Sequence, residues 1–591
     1  MDFAFDSRTE ELRENLLDLM DSHIRPAEPV FAEQLTELDD PWARDSDAAV
    51  RRWPRRGAQE HPWANRNQPT GHPAGGPEWV HQERSMTITT NSQTQTTDFD
   101  VLIIGAGISG IGAACHLKAR RPGTSFAVLE GRDSIGGTWS LFQYPGLRSD
   151  SDMPTFGFSF KPWTYRQAIA DGHTIMDYLQ QAVTENGLAG HIRLGYRVLG
   201  AEFSSSTQRW TVITQQSGSR TKKETFTARF LFLGTGYYDY QAGYTPEFTG
   251  IENFEGRVIH PQHWPEDLNY TGKRVIVIGS GATAITLLPS MADKTRHITM
   301  LQRSPSYVLA IPAEDAIANT LNKLLGPERA YRIVRRKNIM LNRGIFKACK
   351  RAPKLMRRLL IANVRRQLPK HFDVDTHFTP RYDPWDQRVC MVPGGDLFKT
   401  ISAGKASVVT DRVERFTKTG ILLESGQELA ADIIVTATGF NMSPFGKIRL
   451  SVDGQQVNLP DRTVYKAMML SGVPNLVFAF GYTNISWTLR VELVCEHFCR
   501  LLDYMDSHGH GSVEPVLDDP DMERVPLMDM SSGYVQRGIA KFPRAGTSGP
   551  WIFEHAYEKD VERLHEGQVE DNALNFTTQP SLQASGSERA R

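Results

Sequence analysis

The stretch DFDVLIIGAGISG, residues 98–110, decides the fold of this chain. Its apolar run is typical of a buried strand. Its glycines have the spacing G-x-G-x-x-G, which allows a tight turn and a close approach of the backbone to a pyrophosphate. A second apolar run, FAVL, ends at Glu130, where a carboxylate would bind ribose hydroxyls. The pattern predicts a dinucleotide site built by Gly105, Gly107, Ser109, Gly110 and Glu130.

A second fingerprint follows the apolar run RVIVI at 274–278 and reads GSGATA, with alanine in place of the third glycine. The next apolar run ends at Arg303, in the position that Glu130 has in the first unit. A glutamate suits the free ribose of FAD, whereas an arginine binds the 2′-phosphate of NADPH. We therefore predict an FAD site and an NADPH site. The alternative for Arg303 is that it is an ordinary surface arginine without a phosphate partner. The predicted NADPH contacts are Gly279, Ser280, Gly281, Ala282, Thr283, Ala284, Arg303 and Ser304.

Composition argues against several other classes of protein. The 591 residues include 67 Lys+Arg and 68 Asp+Glu, a net charge of −1, which disfavours a nucleic-acid partner. The five cysteines include no C-x-x-C pair, so we expect a reduced, cytoplasmic protein. Disulfide reductases and flavin monooxygenases share two dinucleotide sites, and the missing cysteine pair favours the monooxygenases. No histidine spacing indicates a metal site, and no apolar run reaches the about 18 residues of a membrane span.

Changes in composition along the chain predict its domains. The predicted fold class is α/β, with two Rossmann-like dinucleotide-binding domains, for FAD and for NADP, and a helical insert. We expect residues 1–96 to be a disordered or dispensable extension, and 531–591 to be a C-terminal tail that frays after about residue 565. The other predicted ranges are 97–235 and 431–530 for the FAD domain, 236–306 and 381–430 for the NADP domain, and 307–380 for the basic helical insert.

One further motif indicates a family. Residues 254–265, FEGRVIHPQHWP, match F-x-G-x-x-x-H-x-x-x-W-P at every fixed position, which resembles the signature of Baeyer–Villiger monooxygenases. Other segments that agree with this resemblance are GGTW at 136–139, YPGLRSD at 144–150, and two hinges, GTG at 234–236 and ATG at 437–439. Within that family the chain is most similar to the ethionamide-activating subgroup of actinobacteria. The resemblance covers about residues 97–530.

The resemblance implies that NADPH reduces FAD and that a C4a-peroxyflavin then converts a ketone to an ester or lactone. It implies that Arg388, in the segment WDQRVC, stabilises the developing negative charge and that Asp150 orients Arg388. The family's lysine before this arginine is Gln387 in this chain, so NADPH preference is expected to be weaker. We expect structural or hinge roles for His260 and Trp264. The other cofactor contacts implied are Gly137, Thr138, Trp139, Arg148, Ser149, Asp150 and Val198.

The substrate and one surface stay open at this point. The main hypothesis is insertion of an oxygen atom of O2 into a ketone by an enzyme that also oxidises sulfides or thioamides. The alternative is an S- or N-oxygenating flavin monooxygenase that acts on sulfides or thioamides without Baeyer–Villiger activity. The stretch 332–370 carries 14 Lys and Arg residues and no acid, and is either a solvated helical insert or a weak peripheral membrane contact. Nothing in the sequence indicates the oligomeric state.

Overall fold

The computed structural model describes residues 97–219 and 221–579, and the predicted extension 1–96 lies outside them. The first sheet centres on the strand Thr97–Ile104, which runs parallel to a neighbour on each side. Its strands lie in the order Gln455–Gln456, Arg449–Val452, Tyr196–Ser204, Arg209–Gln216, Lys223–Leu233, Thr97–Ile104, Phe126–Leu129 and Ile192–Arg193, with Leu476–Phe478 also beside Lys223–Leu233.

Both faces of this central strand are buried, because its side chains alternate between two hydrophobic cores. Val101 packs in the core that contains the helices Ile108–Arg120 and Trp487–Ser507. Leu102 packs in the core on the other face. A strand covered on both sides has no polar face, which explains why its sequence is a continuous apolar run.

The second sheet is parallel throughout, and the helix Ala282–Met291 follows its central strand. Its order is Ala406–Thr410, His297–Gln302, Arg274–Ile278, Ile433–Thr436 and Arg257–Ile259. The two sheets agree with the predicted α/β class. The predicted start of the returning FAD domain at 431 is wrong, because the strand Ile433–Thr436 pairs within the second sheet. An apolar run predicts a strand but does not say which sheet the strand joins.

The insert between the strands Val308–Ile311 and Cys390–Pro393 is helical, as predicted. Asp315 caps its first helix by accepting a hydrogen bond from the amide of Ala318 at 3.0 Å. Pro327 and Pro353 begin the next two helices, where a missing N–H removes no helical hydrogen bond. The α-helices of the insert are Ala316–Leu325, Pro327–Arg351, Pro353–Gln367 and Val374–Phe378.

Shorter elements complete the described chain. The remaining α-helices are Thr138–Leu141, Met153–Phe156, Gly172–Glu185, Asp396–Ser402, Gly533–Gly538 and Tyr557–Asp560. The small sheets are Tyr238–Gly243 with Phe440–Met442, Val308–Ile311 with Cys390–Pro393, Val464–Tyr465 with Met469–Leu470, His510–Pro515 with Leu574–Thr578, Arg524–Pro526 with Arg544–Gly546, and Val413–Thr417 with Gly420–Leu423 and Glu428–Ala430. Within the described ranges, no helix is long and apolar enough to cross a membrane.

The segment 531–579 is part of the fold, which corrects the predicted C-terminal tail. The strand Leu574–Thr578 pairs antiparallel with His510–Pro515. Leu564, at the point where fraying was expected, is fully buried. The elements of this segment are short and bury few apolar side chains each, so no periodic pattern in the sequence marks them. Residues 580–591 lie outside the described ranges.

Candidate active site

The first glycine fingerprint forms a tight turn between strand and helix. A Cβ at Gly110 would lie 1.8 Å from the carbonyl oxygen of Gly105, so the helix approaches the turn only because this residue has no side chain. Gly105 has φ +100°, and its Cβ would lie 2.9 Å from the carbonyl oxygen of Gly234 in the GTG hinge. A Cβ at Gly107 would lie 3.6 Å from the Cα of Gly137. Bare backbone thus packs against bare backbone around this turn, and the absence of side chains suits a close approach of the turn to the pyrophosphate of FAD.

Glu130 lies at the end of the strand Phe126–Leu129 and is buried. Its Oε2 accepts a hydrogen bond from the amide of Ala106 at 2.7 Å, and its Oε1 accepts one from the amide of Arg132 at 3.0 Å. Burial raises the pKa of Glu130, and the two amide donors oppose that shift. The carboxyl group therefore lies against the phosphate loop, in the place that a ribose-binding acid requires.

Arg132 also contacts the loop beside the first fingerprint, although no sequence motif includes it. Its guanidinium donates to Ser140 Oγ at 2.7 Å and to the carbonyl oxygen of Gly137 at 3.2 Å. These bonds hold the GGTW loop beside the first fingerprint. The only signal in the sequence was the position of Arg132, two residues after Glu130.

Other residues predicted to contact the flavin lie around the same loop. Ser109 Oγ accepts a hydrogen bond from Trp487 Nε1 at 2.9 Å, so the helix that begins at Trp487 contacts the first phosphate loop. Thr138 and Trp139 begin the short helix Thr138–Leu141, and Trp139 packs partly buried against the first core. The roles of these residues as flavin contacts stay predictions.

The second fingerprint repeats the first in its contact with a hinge. Gly279 has φ +143°, and its Cβ would lie 2.3 Å from the carbonyl oxygen of Ala437 in the ATG hinge. Gly105 makes the corresponding approach to the GTG hinge. In each dinucleotide unit, the first glycine of the fingerprint thus packs on one of the two hinges. This is expected if both hinges join the same pair of domains.

The edge of the second fingerprint is open and polar. A Cβ at Gly281 would meet no heavy atom within 4 Å, so the backbone faces free space. Ser280 Oγ donates a hydrogen bond to the carbonyl oxygen of Ser304 at 3.0 Å. Arg303 follows the strand His297–Gln302 and is exposed. An open phosphate loop beside a serine pair and a cation fits a dinucleotide with a 2′-phosphate.

The YPGLRSD segment, residues 144–150, connects the two units. Tyr144 is buried near Thr283 of the second phosphate loop. Burial raises the pKa of Tyr144 to about 12, and the Thr283 side chain opposes that shift. Gly146 has φ +75°, and its Cβ would lie 1.8 Å from Ser290 Oγ. The segment therefore packs directly on the helix that follows the second fingerprint.

Three further predicted residues have structural contacts of their own. Arg148 Nη1 donates to Asp396 Oδ2 at 2.5 Å, which ties the YPGLRSD segment to the helix Asp396–Ser402. The amide of Ser149 donates to the carbonyl oxygen of Ala170 at 2.8 Å. The Val198 side chain is buried in the first domain, so only its backbone is available to an adenine. The roles of all three in cofactor binding stay predictions.

Arg388 and Asp150 form an ion pair, with Nε of Arg388 3.0 Å from Oδ2 of Asp150. The two side chains are 30% and 46% exposed, so both remain accessible beside the pair. Burial lowers the pKa of Arg388, whereas the carboxylate of Asp150 raises it, and the net pKa lies above the usual value. Arg388 is therefore a permanent cation. The structure brings together the two residues predicted to be catalytic, and their catalytic roles stay a prediction.

Three tyrosines that no motif identified lie close to Arg388. Tyr237 Oη is 3.1 Å from Tyr238 Oη. Burial raises the pKa of all three phenols, so they are neutral hydrogen-bonding groups at pH 7. Tyr237 and Tyr238 follow the GTG hinge, a signal that was available in the sequence. Tyr534 lies beyond residue 530, where the family resemblance ends, and no feature of the sequence indicates that it lies near Arg388.

His260 and Trp264, from the FEGRVIHPQHWP motif, contact the hinge and the second core. His260 Nε2 lies 3.1 Å from the carbonyl oxygen of Gly439, and its Nδ1 accepts a hydrogen bond from the amide of Gln262 at 3.2 Å. Burial lowers the pKa of His260, which favours the neutral ring that these two bonds require. Trp264 packs partly buried against the hydrophobic core of the second sheet. These contacts support the predicted structural or hinge roles.

Comparisons with known proteins show the family of this chain. The family model described as flavin-binding monooxygenase-like matches residues 99–469. The chain is 49% identical over 487 residues to the FAD-containing monooxygenase EthA of Mycobacterium tuberculosis, covering 82% of this chain and 99% of that relative. It is also 49% identical over 483 residues to EthA of Mycolicibacterium smegmatis, covering 82% of this chain and 98% of that relative.

Two solved structures share the fold. A steroid monooxygenase bound to NADP has a TM-score of 0.63 and 21% identity, covering 82% of this chain and all of that chain. OTEMO in complex with FAD and NADP has a TM-score of 0.64 and 19% identity, with the same coverage. These likenesses confirm the predicted α/β fold with two dinucleotide-binding domains. The family match and the relatives confirm the resemblance to flavin monooxygenases: the chain belongs to the flavin-binding monooxygenase-like family.

Proposed function

We propose that the chain is an FAD- and NADPH-dependent monooxygenase that inserts one oxygen atom of O2 into ketones, giving esters or lactones. The observation that carries this proposal is the ion pair between Arg388 and Asp150. It lies where the YPGLRSD segment of the first unit packs on the second unit. A fixed cation at such a place is what the reaction of a ketone with a peroxide needs, because negative charge develops on the former carbonyl oxygen.

Each group of residues has its own part in the proposed reaction. FAD, when bound and reduced by NADPH, supplies the electrons that activate O2. Arg388 stabilises the negative charge on the reacting oxygen atoms, and Asp150 holds the guanidinium in one orientation through a charge-assisted hydrogen bond. The proposed FAD contacts are Gly105, Gly107, Ser109, Gly110, Glu130, Gly137, Thr138, Trp139, Asp150 and Val198. The proposed NADPH contacts are Gly279, Ser280, Gly281, Ala282, Thr283, Ala284, Arg303, Ser304, Arg148 and Ser149.

Product analysis under labelled O2 tests the proposed function. Purified holoenzyme is supplied with NADPH and with either a ketone or a sulfide, and the products are analysed by mass spectrometry. An ester that carries one labelled oxygen atom would support the proposal. Sulfoxide without ester from any ketone would replace it with the alternative, an S- or N-oxygenating flavin monooxygenase. Ester with unlabelled oxygen would contradict both hypotheses.

Replacing Arg303 by alanine is expected to raise the KM for NADPH by about tenfold or more, because a charge-assisted hydrogen bond is worth about 1.5–3 kcal/mol. The KM for NADH should change little, since NADH has no 2′-phosphate. Steady-state oxidation of both cofactors measures the effect. Arg415→Ala is a matched control, because Arg415 is an exposed arginine on the strand Val413–Thr417 and is not among the proposed NADPH contacts. Equal changes in both KM values would remove Arg303 from the phosphate site.

We also propose a cytoplasmic location. The five cysteines are free and buried, which suits a reducing compartment. The proposed reaction also consumes NADPH, a cytoplasmic reductant. Detection of the protein in the culture medium or the periplasmic fraction would contradict this location.

A further inference from the structure

Exposed apolar side chains are concentrated in one part of the described chain. Ten large apolar side chains of the described residues are exposed, and seven of them lie between residues 317 and 355, in the helical insert. Leu324 is 74% exposed and Ile317 is 55% exposed, so these side chains protrude into solvent. The seven are Ile317, Leu324, Leu325, Ile333, Met340, Leu341 and Leu355. Clusters of this kind mark interaction sites more often than single exposed apolar residues do.

Basic side chains share this region. The outward face of the helix Pro327–Arg351 presents residues three or four apart, Arg329, Arg332, Ile333, Arg336 and Met340, and all five are exposed. The helix Ala316–Leu325 contacts this helix and adds further exposed residues. We call the group the 317–341 surface; it comprises Ile317, Lys323, Leu324, Leu325, Arg329, Arg332, Ile333, Arg336, Met340 and Leu341. The single acid between 317 and 341 is Glu328, in the first turn of the long helix, where it complements the helix dipole.

Several other bases of the insert have partners inside the fold and do not belong to this surface. Arg335 is buried, donates to the carbonyl oxygens of Pro154 and Gly157, and pairs with Glu492. Other pairs are Lys337–Asp315, Arg343–Glu558, Lys347–Glu558 and Lys350–Asp386. Those pairs with Glu492, Glu558 and Asp386 fasten the insert to the rest of the molecule. On the 317–341 surface, the exposed Lys323, Arg329 and Arg332 outnumber the single exposed acid, Glu328, which gives this surface a net positive charge.

We infer that the 317–341 surface docks peripherally on an anionic lipid membrane. Protruding leucine and isoleucine side chains bury their apolar area at the boundary of headgroups and acyl chains, while the arginines beside them bind lipid phosphates. A fluid lipid surface can accommodate separate protruding side chains. An acidic protein that bound the same surface would instead need a pocket that matches each of these side chains. The inference does not depend on the oxygenation reaction.

Sedimentation of the holoenzyme with lipid vesicles tests the inference. We expect the enzyme to bind vesicles of phosphatidylcholine mixed with phosphatidylglycerol, and to bind pure phosphatidylcholine only weakly. The double variant Arg329→Glu/Arg332→Glu should lower binding to the anionic vesicles by about tenfold or more, since each base near such a surface contributes about 1 kcal/mol. The apolar double variant Leu324→Ser/Ile333→Ser should lower it by about tenfold or more as well, through the loss of two buried side chains.

The control variant Lys222→Glu/Lys541→Glu makes the same change in net charge at exposed positions outside the insert. It should bind vesicles like the unchanged enzyme. All variants should keep bound FAD and the rate of NADPH oxidation, because none of these residues belongs to the proposed active site. If the unchanged enzyme stays in the supernatant with anionic vesicles, the inference is overturned. An equal loss of binding in the control would overturn it too, by showing that net charge alone is responsible.

Discussion

Replacing Arg388 by alanine is expected to lower the rate of ester formation by about 10²–10³-fold, the loss typical when a group that stabilises developing negative charge is removed. The reason is the position of this cation, which pairs with Asp150 at 3.0 Å and remains partly exposed. The proposed FAD contacts lie on other residues, so bound FAD and consumption of O2 should persist, with hydrogen peroxide released in place of ester. The measurement is the yield of ester per NADPH consumed, together with the FAD content of the purified variant.

Two further variants make this result specific. Arg381→Ala removes an exposed arginine from the same segment and should leave the ester yield unchanged. Asp150→Asn keeps the shape of the partner but removes its charge, so we expect a smaller loss of rate than for Arg388→Ala. Unchanged ester formation by Arg388→Ala would exclude the catalytic role. Loss of bound FAD in that variant would instead indicate that Arg388 supports the fold, and would leave the labelled-oxygen result on the unchanged enzyme unaffected.

The parts of the site that the sequence predicts best are those dictated by backbone geometry within a few residues. Gly110 is required because its Cβ would collide with the carbonyl oxygen of Gly105, five residues earlier. Glu130 and Arg303 are likewise specified by their distance along the chain from a glycine loop, since one strand–helix–strand unit has a nearly constant length. Such contacts are local, so one sequence is enough to predict them.

Contacts between distant segments could not be predicted in this way. The approach of Asp150 to Arg388 was expected only because of the family resemblance, since nothing local links the two positions. The position of Tyr534 near the same arginine lay outside that resemblance and was missed. The strand Ile433–Thr436 falls in the range assigned to the FAD domain, but it pairs with the strand Arg274–Ile278 of the second sheet. Tertiary packing, rather than residue pattern, decides each of these cases.

Replacing Arg490 by methionine is expected to lower the free energy of unfolding by about 3–5 kcal/mol, because it leaves Asp560 as an uncompensated buried charge. Arg490 is fully buried, and its Nε lies 3.0 Å from Asp560 Oδ2. Its other nitrogens donate to the carbonyl oxygens of Lys466, Ala467 and Phe480. Denaturation followed by tryptophan fluorescence and by release of bound FAD measures the effect. Asp560 belongs to the segment predicted to be a tail, so the same experiment tests whether that segment is structural.

Replacing both Arg490 and Asp560 distinguishes the destabilisation caused by one unpaired buried charge from the contribution of the ion pair to the free energy of unfolding. Arg490→Met/Asp560→Leu should recover part of the lost stability, because no charge is then left buried without a partner. Lys405→Met breaks an exposed pair with Asp293 and should cost less than about 1 kcal/mol. A loss for Arg490→Met as small as that of the exposed pair would mean that the 557–560 helix detaches readily from the core. A double variant as stable as the unchanged protein would show that the buried pair contributes specificity of packing rather than net stability.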